Sequence, residues 1–543
     1  RVEPGEVESA LLGVPGVTAA VVAAGGGVLV GFAVGDVDAG AARAAVADVL
    51  PEWAVPTRVW VVDDFPLTDN GKIDRAALLD LDRARRGGGT GATRPDGVAG
   101  LWCDVLDVDD IGEDDDFVTL GGDSRLALVL AGRVLERYPT VRPGRLLACR
   151  TVAEMTAVVR DARPVAADPR PVPAVLPLSY GQEGLWTWQH MYPDALAFVL
   201  PVALRVHGDG PDPRTAVAAV LAGHEAFALR FRSTDGVPWA IRSTEPPMVD
   251  VDTEPVPVAD LPARLVAAHR DAATRIVELT GVPWRVRIVP VADGDHVVLL
   301  SVHHLVFDGT SVGVFVRDLA AVLGGASLTP VGGPVDHAVA QRNAAWPAER
   351  EYWRDVLRPL PDALDLPTDR SRRVGHADGG RVHTQVLDDA ATALLDRFAG
   401  SRHTSRFTVL LAALATLASR YTGRRDFVLA TVTSADRAAG WTGSIGYFAN
   451  LLPVRCVLEP GETFADTVTG TATRLRDAVA NAALPFERIL SEAGGERSGN
   501  AARYTRLVVA QDLPAGLPAR AADVVLDAVP LDPGTAKYEL CVF

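Results

Sequence analysis

Three short stretches of the chain carry residue types that can do chemistry. His303-His304, followed by Asp308-Gly309, sets two imidazoles and a carboxylate at the end of the apolar run Val297 to Val302. An imidazole whose unperturbed pKa is about 6.5 can take a proton from an amine or simply hold it. Gly121-Gly122-Asp123-Ser124 presents a hydroxyl at the start of an amphipathic stretch. There the positive end of a helix favours an attached phosphate. Asn70-Gly71-Lys72 carries an ammonium on a turn, where it can stabilise anionic oxygens. Each stretch also has a plain structural reading: a packed histidine pair, a helix cap, a hairpin turn.

Those groups need elements to aim them. Val297 to His304 has the pattern of a buried strand, and a helix with apolar Val312, Phe315, Val316 and Leu319 follows the loop at Asp308-Gly309. Adjacent side chains on a strand face opposite ways, so as far as the strand persists only one of the two histidines enters a given cavity. The other packs. This divergence also argues against a metal site, which needs convergent ligands. Behind Ser124 the apolar positions 126, 129, 130 and 134 fall on one helix face, within a piece small enough for about four helices. Val21 to Val34 forms two β-rich runs broken at Gly25-Gly26-Gly27; Ala41 to Leu50 has helical spacing and Thr57 to Val62 reads as a strand. Two linkers stand out, one through Arg83 to Pro95, the other from Asp161 to Val175 with four prolines.

A chain of 543 residues with 48% hydrophobic residues has material for several cores. A net charge of −16 argues against nucleic-acid binding. No apolar run reaches the roughly 18 residues of a membrane span, and the first ten residues lack a signal-peptide core, so a cytoplasmic protein is expected. Cys103, Cys149, Cys456 and Cys541 form no close pair and are expected to be free thiols. Lys72 and Lys537 are the only lysines, which makes each a residue to follow.

Longer strings around these residues resemble known families. Asp115-Asp116-Phe117-Val118-Thr119-Leu120-Gly121-Gly122-Asp123-Ser124 resembles the modification site of peptidyl carrier proteins. That resemblance implies a 4′-phosphopantetheine arm on Ser124 and a phosphopantetheinyl transferase as partner. Pro66 to Arg75 is similar to the last core motif of adenylation domains, in which the lysine matching Lys72 contacts the acyl-adenylate. Glu3 to Glu8 looks like the end of that family's hinge motif. Residues 1–82 resemble only the mobile C-terminal subdomain, so an upstream adenylation core is an implied partner and adenylation is not expected of this chain.

The third piece resembles condensation domains throughout. Leu178 to Trp186 matches the opening motif and His224 to Arg230 the second. His303 to Gly309 matches the central H-H-x-x-x-D-G. Tyr352-Trp353 with Leu366 to Arg370 fits the bridge between lobes; Ile445 to Asn450 and Leu484 to Glu487 match later motifs. Gly223 stands where the second motif usually has Arg, and Ala449-Asn450 where a later one reads V-N. The chain is thus identified as a segment of a non-ribosomal peptide synthetase. The implied order is an adenylation C-terminal subdomain (1–82), a linker (83–95), a four-helix-bundle carrier domain (96–162), a linker (163–175) and a condensation domain (176–543). That last domain should be a two-lobed α/β fold resembling chloramphenicol acetyltransferase, with lobes at about 176–346 and 347–543 and family sequence expected beyond Phe543.

The resemblance implies His304 as the catalytic histidine, with His303, Asp308 and Gly309 completing the motif. The reaction would join a carrier-bound aminoacyl or peptidyl thioester to the α-amine of an acceptor on a downstream carrier. Asp308 is expected to be a structural anion, and a buried carboxylate needs a cation. Arg437, in Thr433-Ser434-Ala435-Asp436-Arg437, is the expected partner, and Arg455 is expected at the surface. An epimerisation domain shares the central motif and is the nearest rival. A catalytically silent recruitment domain is the other.

Overall fold

A computed structural model describes residues 4–35 except 26–27, scattered positions from 37 to 81, and 97–160 apart from 107, 109–110, 118–119, 121–123, 139–140 and 142. It further describes 175–543 apart from 209, 280, 329–332, 362–363, 370–378, 435–436, 438–439, 494–503, 512–516 and 522–523. Lys72, Gly121-Gly122-Asp123, most of Ala41 to Leu50 and nearly all of both linkers lie outside these residues. The chain divides into two compact units, 1–112 with 388–404, and 113–387 with 405–543.

In the first unit, helix α1 (Pro4–Leu12) precedes an antiparallel hairpin of β1 (Val17–Gly25) and β2 (Val28–Gly35), and β3 (Arg58–Val61) pairs parallel to β2. Alternation along these strands builds two apolar layers. Val22, Ala33 and Val59 pack with Val7 and Leu11 of α1 on one face; Val21, Phe32 and Leu78 pack on the other. Helix α2 (Val98–Leu106), with Trp102 buried, and the helix Asp389–Ser401 also belong to this unit.

The second unit begins with three helices, α3 (Ser124–Arg137), α4 (Pro143–Leu147) and α5 (Val152–Arg160). Leu130 and Val134 of α3 are buried. The acid run ahead of them is not uniformly solvated. Asp116 accepts from Arg150 Nε at 2.8 Å and ties the loop before α3 to the turn before α5.

The rest of this unit is a two-lobed α/β structure. The first lobe holds a six-stranded sheet in the order β13-β14-β4-β9-β8-β7, formed by β4 (Val199–His207), β7 (Val249–Val251), β8 (Trp284–Pro290), β9 (His296–His303), β13 (Ala519–Ala521) and β14 (Val524–Ala528). The second holds β11-β10-β12-β15, formed by β10 (Asp426–Thr433), β11 (Asn450–Val457), β12 (Leu507–Val509) and β15 (Leu540–Val542). A separate hairpin joins β5 (Leu229–Thr234) to β6 (Val237–Arg242).

Strand β9 lies between β4 and β8, so an unbroken apolar run suits it better than alternation. Its residues 297–303 are all buried. After β12 the chain crosses to the first lobe, adds β14 to the edge of β4, then returns to pair β15 with β12. That return brings residues 530–539 past the end of β9. Helix α6 (Tyr180–Met191), with a Ser179–Gln182 capping box, docks beside the same strand end through Gln182 Nε2, which donates to Leu305 O at 2.8 Å.

Candidate functional site

Strand β9 ends at His303, and His304 opens a short 3₁₀ turn to Val306. Strand alternation therefore stops one residue before His304, and the turn, rather than the pleat, separates the two rings. His303 is fully buried. Its Nδ1 accepts from Leu305 N–H at 3.1 Å, which leaves the proton on Nε2 to donate to Gln189 Oε1 at 3.2 Å. Burial alone pushes its pKa down to about 3. His303 is a neutral fastener of the turn.

His304 carries the opposite tautomer. Its backbone N–H donates to Phe198 O at 2.8 Å, and its Nδ1 lies 2.8 Å from the Phe307 carbonyl, which can only accept. The ring proton is therefore on Nδ1, and Nε2 presents its lone pair, 2.7 Å from Lys537 Nζ. That lone pair faces a cavity of about 490 Å³. Phe198, Leu200 and Val202 of the first lobe line it, with Thr431, Thr433 and Tyr447 of the second. Burial, then the Lys537 ammonium, holds the imidazole well below its ordinary pKa, against the pull of the Phe307 carbonyl. The phenol of Tyr447, whose ring centre is 6.1 Å from that of His304, is pushed well above its usual range by burial. It stays protonated.

Asp308 faces away from this chemistry. It caps helix α8 (Gly309–Leu323), its Oδ1 accepting from Ser311 N–H at 2.9 Å. The Arg437 guanidinium, 2% exposed, donates to the same oxygen at 2.7 Å, and Phe448 N–H donates to Oδ2 at 3.0 Å. Arg437 also donates to the Ser444 carbonyl and lies 4.4 Å over the Phe448 ring. The carboxylate thus fastens the β9–α8 loop of one lobe to the 437–448 loop of the other. Arg455, within β11, instead pairs with Asp426 and donates to Val356 O. Gly309 lines the cavity as the first residue of α8 and leaves open space where a Cβ would stand.

The other motifs form the frame. Asn450 Nδ2 donates to Ala482 O and Leu484 O, each at 2.9 Å, and its Oδ1 accepts from Phe486 N–H. Two motifs far apart in sequence are joined there by one amide. In the second motif, His224 Nε2 lies 2.8 Å from Asp318 Oδ2, a buried pair that anchors α8. Two residues of the cavity went unnoticed as site residues in the sequence: Tyr447, within a quoted motif, and Lys537, signalled only by the rarity of lysine. Among the described residues no cluster of side chains is arranged to hold a metal ion.

The carrier piece reaches the same cavity. Ala127 of α3, one turn beyond Ser124, and Leu147 of α4 line its edge, and α4 packs on helix α11 (Phe464–Ala480) of the second lobe. Ser124 is the first residue of a 14-residue helix with no acid in its opening turn, which suits a phosphodiester at that end.

Residues 172–512 match the family described as Condensation domain. The chain belongs to the condensation-domain family. Ahead of that domain, residues 96–159 match Phosphopantetheine attachment site and residues 6–72 match AMP-binding enzyme C-terminal domain. The chain is a non-ribosomal peptide synthetase segment with these three parts in that order. It is 32% identical to a probable non-canonical nonribosomal peptide synthetase, CymA, of Salinispora arenicola, over 92% of this chain and 7% of that protein. The chain thus spans less than a tenth of that relative.

Two solved structures share the condensation fold. The X-domain of teicoplanin biosynthesis, in complex with OxyB, superposes with a TM-score of 0.58 at 24% identity, over 70% of this chain and 85% of that one. The first condensation domain of the calcium-dependent antibiotic synthetase, bound to a substrate analogue, gives 0.54 at 22%, over 68% and 87%.

Proposed function

We propose that the condensation domain joins an acyl thioester to the α-amine of a carrier-bound acceptor, with Ser124 as the attachment point of the upstream arm. The observation that carries this reading is the unprotonated Nε2 of His304, facing a cavity that both lobes line. A 4′-phosphopantetheine arm, when bound, supplies the thioester. His304 accepts the N–H of the neutral acceptor amine and aims its nitrogen lone pair at the carbonyl. The new C–N bond forms as the C–S bond breaks; the amine loses one proton and the departing sulfur gains one. The depressed basicity of His304 suits an imidazole that holds a neutral amine more than one that deprotonates an ammonium. Asp308 and Arg437 contribute by fixing the turn and the lobe closure, not by touching the proton.

A recruitment role is the reading that the complexed X-domain keeps in view, because likeness of fold does not separate chemistry from docking. Incubation of the loaded chain with an aminoacylated downstream carrier separates the readings. Amide product on the acceptor supports condensation. An epimerised residue on the arm, or no product at all, overturns it. Ser124→Ala should abolish the mass gain on treatment with coenzyme A and a phosphopantetheinyl transferase; labelling that persists moves the arm elsewhere.

A further inference from the structure

The ligand of the His304 lone pair is a lysine. Lys537 Nζ lies 2.7 Å from His304 Nε2, and with the ring proton on Nδ1 the ammonium is the donor. It comes from the segment that returns from β14 to β15, so only the crossover of the chain between the lobes brings it to the end of β9. We propose that Lys537 is a positioning residue for His304: its ammonium fixes the neutral, Nδ1-protonated imidazole and yields the Nε2 lone pair to the incoming α-amine. The inference rests on the condensation reading above and adds what prepares the histidine for the acceptor.

The surroundings leave that task to Lys537. On its own element His304 has His303, itself neutral, as its ionisable neighbour. Tyr447 faces it from the second lobe and stays protonated. From the residue just ahead of β4 it meets the apolar ring of Phe198, 5.9 Å away between centres. The nearby carboxylate of Asp308 is turned to Arg437, Ser311 and Phe448. In many histidine sites a carboxylate stabilises imidazolium; here the contact is a cation, which disfavours it. The same charge disfavours a second ammonium at Nε2, so an acceptor that replaces Lys537 there enters as the neutral, nucleophilic amine.

Histidine-selective NMR on the full chain tests the contact, with the His304 signal assigned by its loss in His304→Gln. In the wild type the ring should stay neutral and Nδ1-protonated well below the ordinary pKa of about 6.5. Lys537→Met should raise the His304 titration by about one pH unit or more and bring a matching acid limb into kcat/KM for the acceptor. The loss should fall in kcat rather than KM, since the competitor for the amine position is gone. Lys537→Arg should retain the low titration. A wild-type His304 that titrates near 6.5, or a Lys537→Met protein with unchanged titration and pH profile, overturns the proposal. The wild-type titration decides even where the Met variant does not fold. A wild type with the expected titration but no amide product defeats the condensation reading and leaves the contact standing.

Discussion

His304→Ala should lose amide formation by about 10²- to 10⁴-fold while the protein stays folded. The truncation removes two hydrogen bonds, from Nδ1–H to Phe307 O and from Lys537 Nζ to Nε2, and opens onto an existing cavity in which the ammonium can be solvated, so its cost in stability is modest, about 1–2 kcal/mol. The neighbouring substitution should do the reverse. His303→Ala strips Leu305 N–H and Gln189 Oε1 of their partner inside a sealed core. Leaving such groups unsatisfied costs about 1–3 kcal/mol each, so the melting temperature should fall while the remaining folded fraction still makes product. Single-turnover transfer between loaded carriers, read beside thermal denaturation, measures both. The pH profile adds a second check. Because His304 is held neutral far below its usual range, the wild-type rate should rise with the deprotonation of the acceptor α-amine, at about 7.7–8.0, and show no limb near 6.5. Equal rates in wild type and His304→Ala would end the assignment.

The second large effect is on stability. Asp308→Ala leaves the guanidinium of Arg437 without its anion at 2% exposure, and leaves Phe448 N–H unpaired. Arg437→Ala strands the carboxylate of Asp308, which is fully buried, and releases the Ser444 carbonyl. Removing one partner of a buried pair costs about 3–5 kcal/mol. Each single variant should therefore unfold at markedly lower denaturant and lose activity with the closure of the lobes. The double variant Asp308→Ala, Arg437→Leu should lose less than the sum of the two, since neither charge is then left alone. Arg455→Ala is the control: it breaks a half-exposed pair with Asp426, whose loss should cost about 1 kcal/mol or less. Single variants at 308 and 437 that unfold within about 1 kcal/mol of the wild type would show that the buried pair is not what holds the loops together.

Much of this protein is legible along the chain because its signals are local. The buried run Val297 to Val302 reads as a central strand, since apolar side chains on both faces suit a strand flanked by two others. The helix after Asp308 reads from its 3.6-residue apolar spacing and its cap, and the helix from Ser124 from its apolar spacing. The string His303 to Gly309 keeps His304 and Asp308 together because sequence neighbours within one loop stay neighbours in space. What the sequence alone left open depends on where distant segments meet. Alternation predicted one inward histidine, yet the two rings part through a 3₁₀ turn that Gln189 and Leu305 hold. The choice between Arg437 and Arg455 as neighbour of Asp308 turned on loop position, and only the packed lobes show Arg437 on Asp308 and Arg455 on Asp426. Lys537 carries no local sign of a role, standing 233 residues from the imidazole that it touches. Its place is set by β14 adding to the first lobe and β15 to the second, which carries the intervening chain between the lobes and lines the cavity with Lys537. Hydrophobic period and turn chemistry act over a few residues and are written in order along the chain; hydrogen-bond partners across a cavity exist only once both sheets have closed on it.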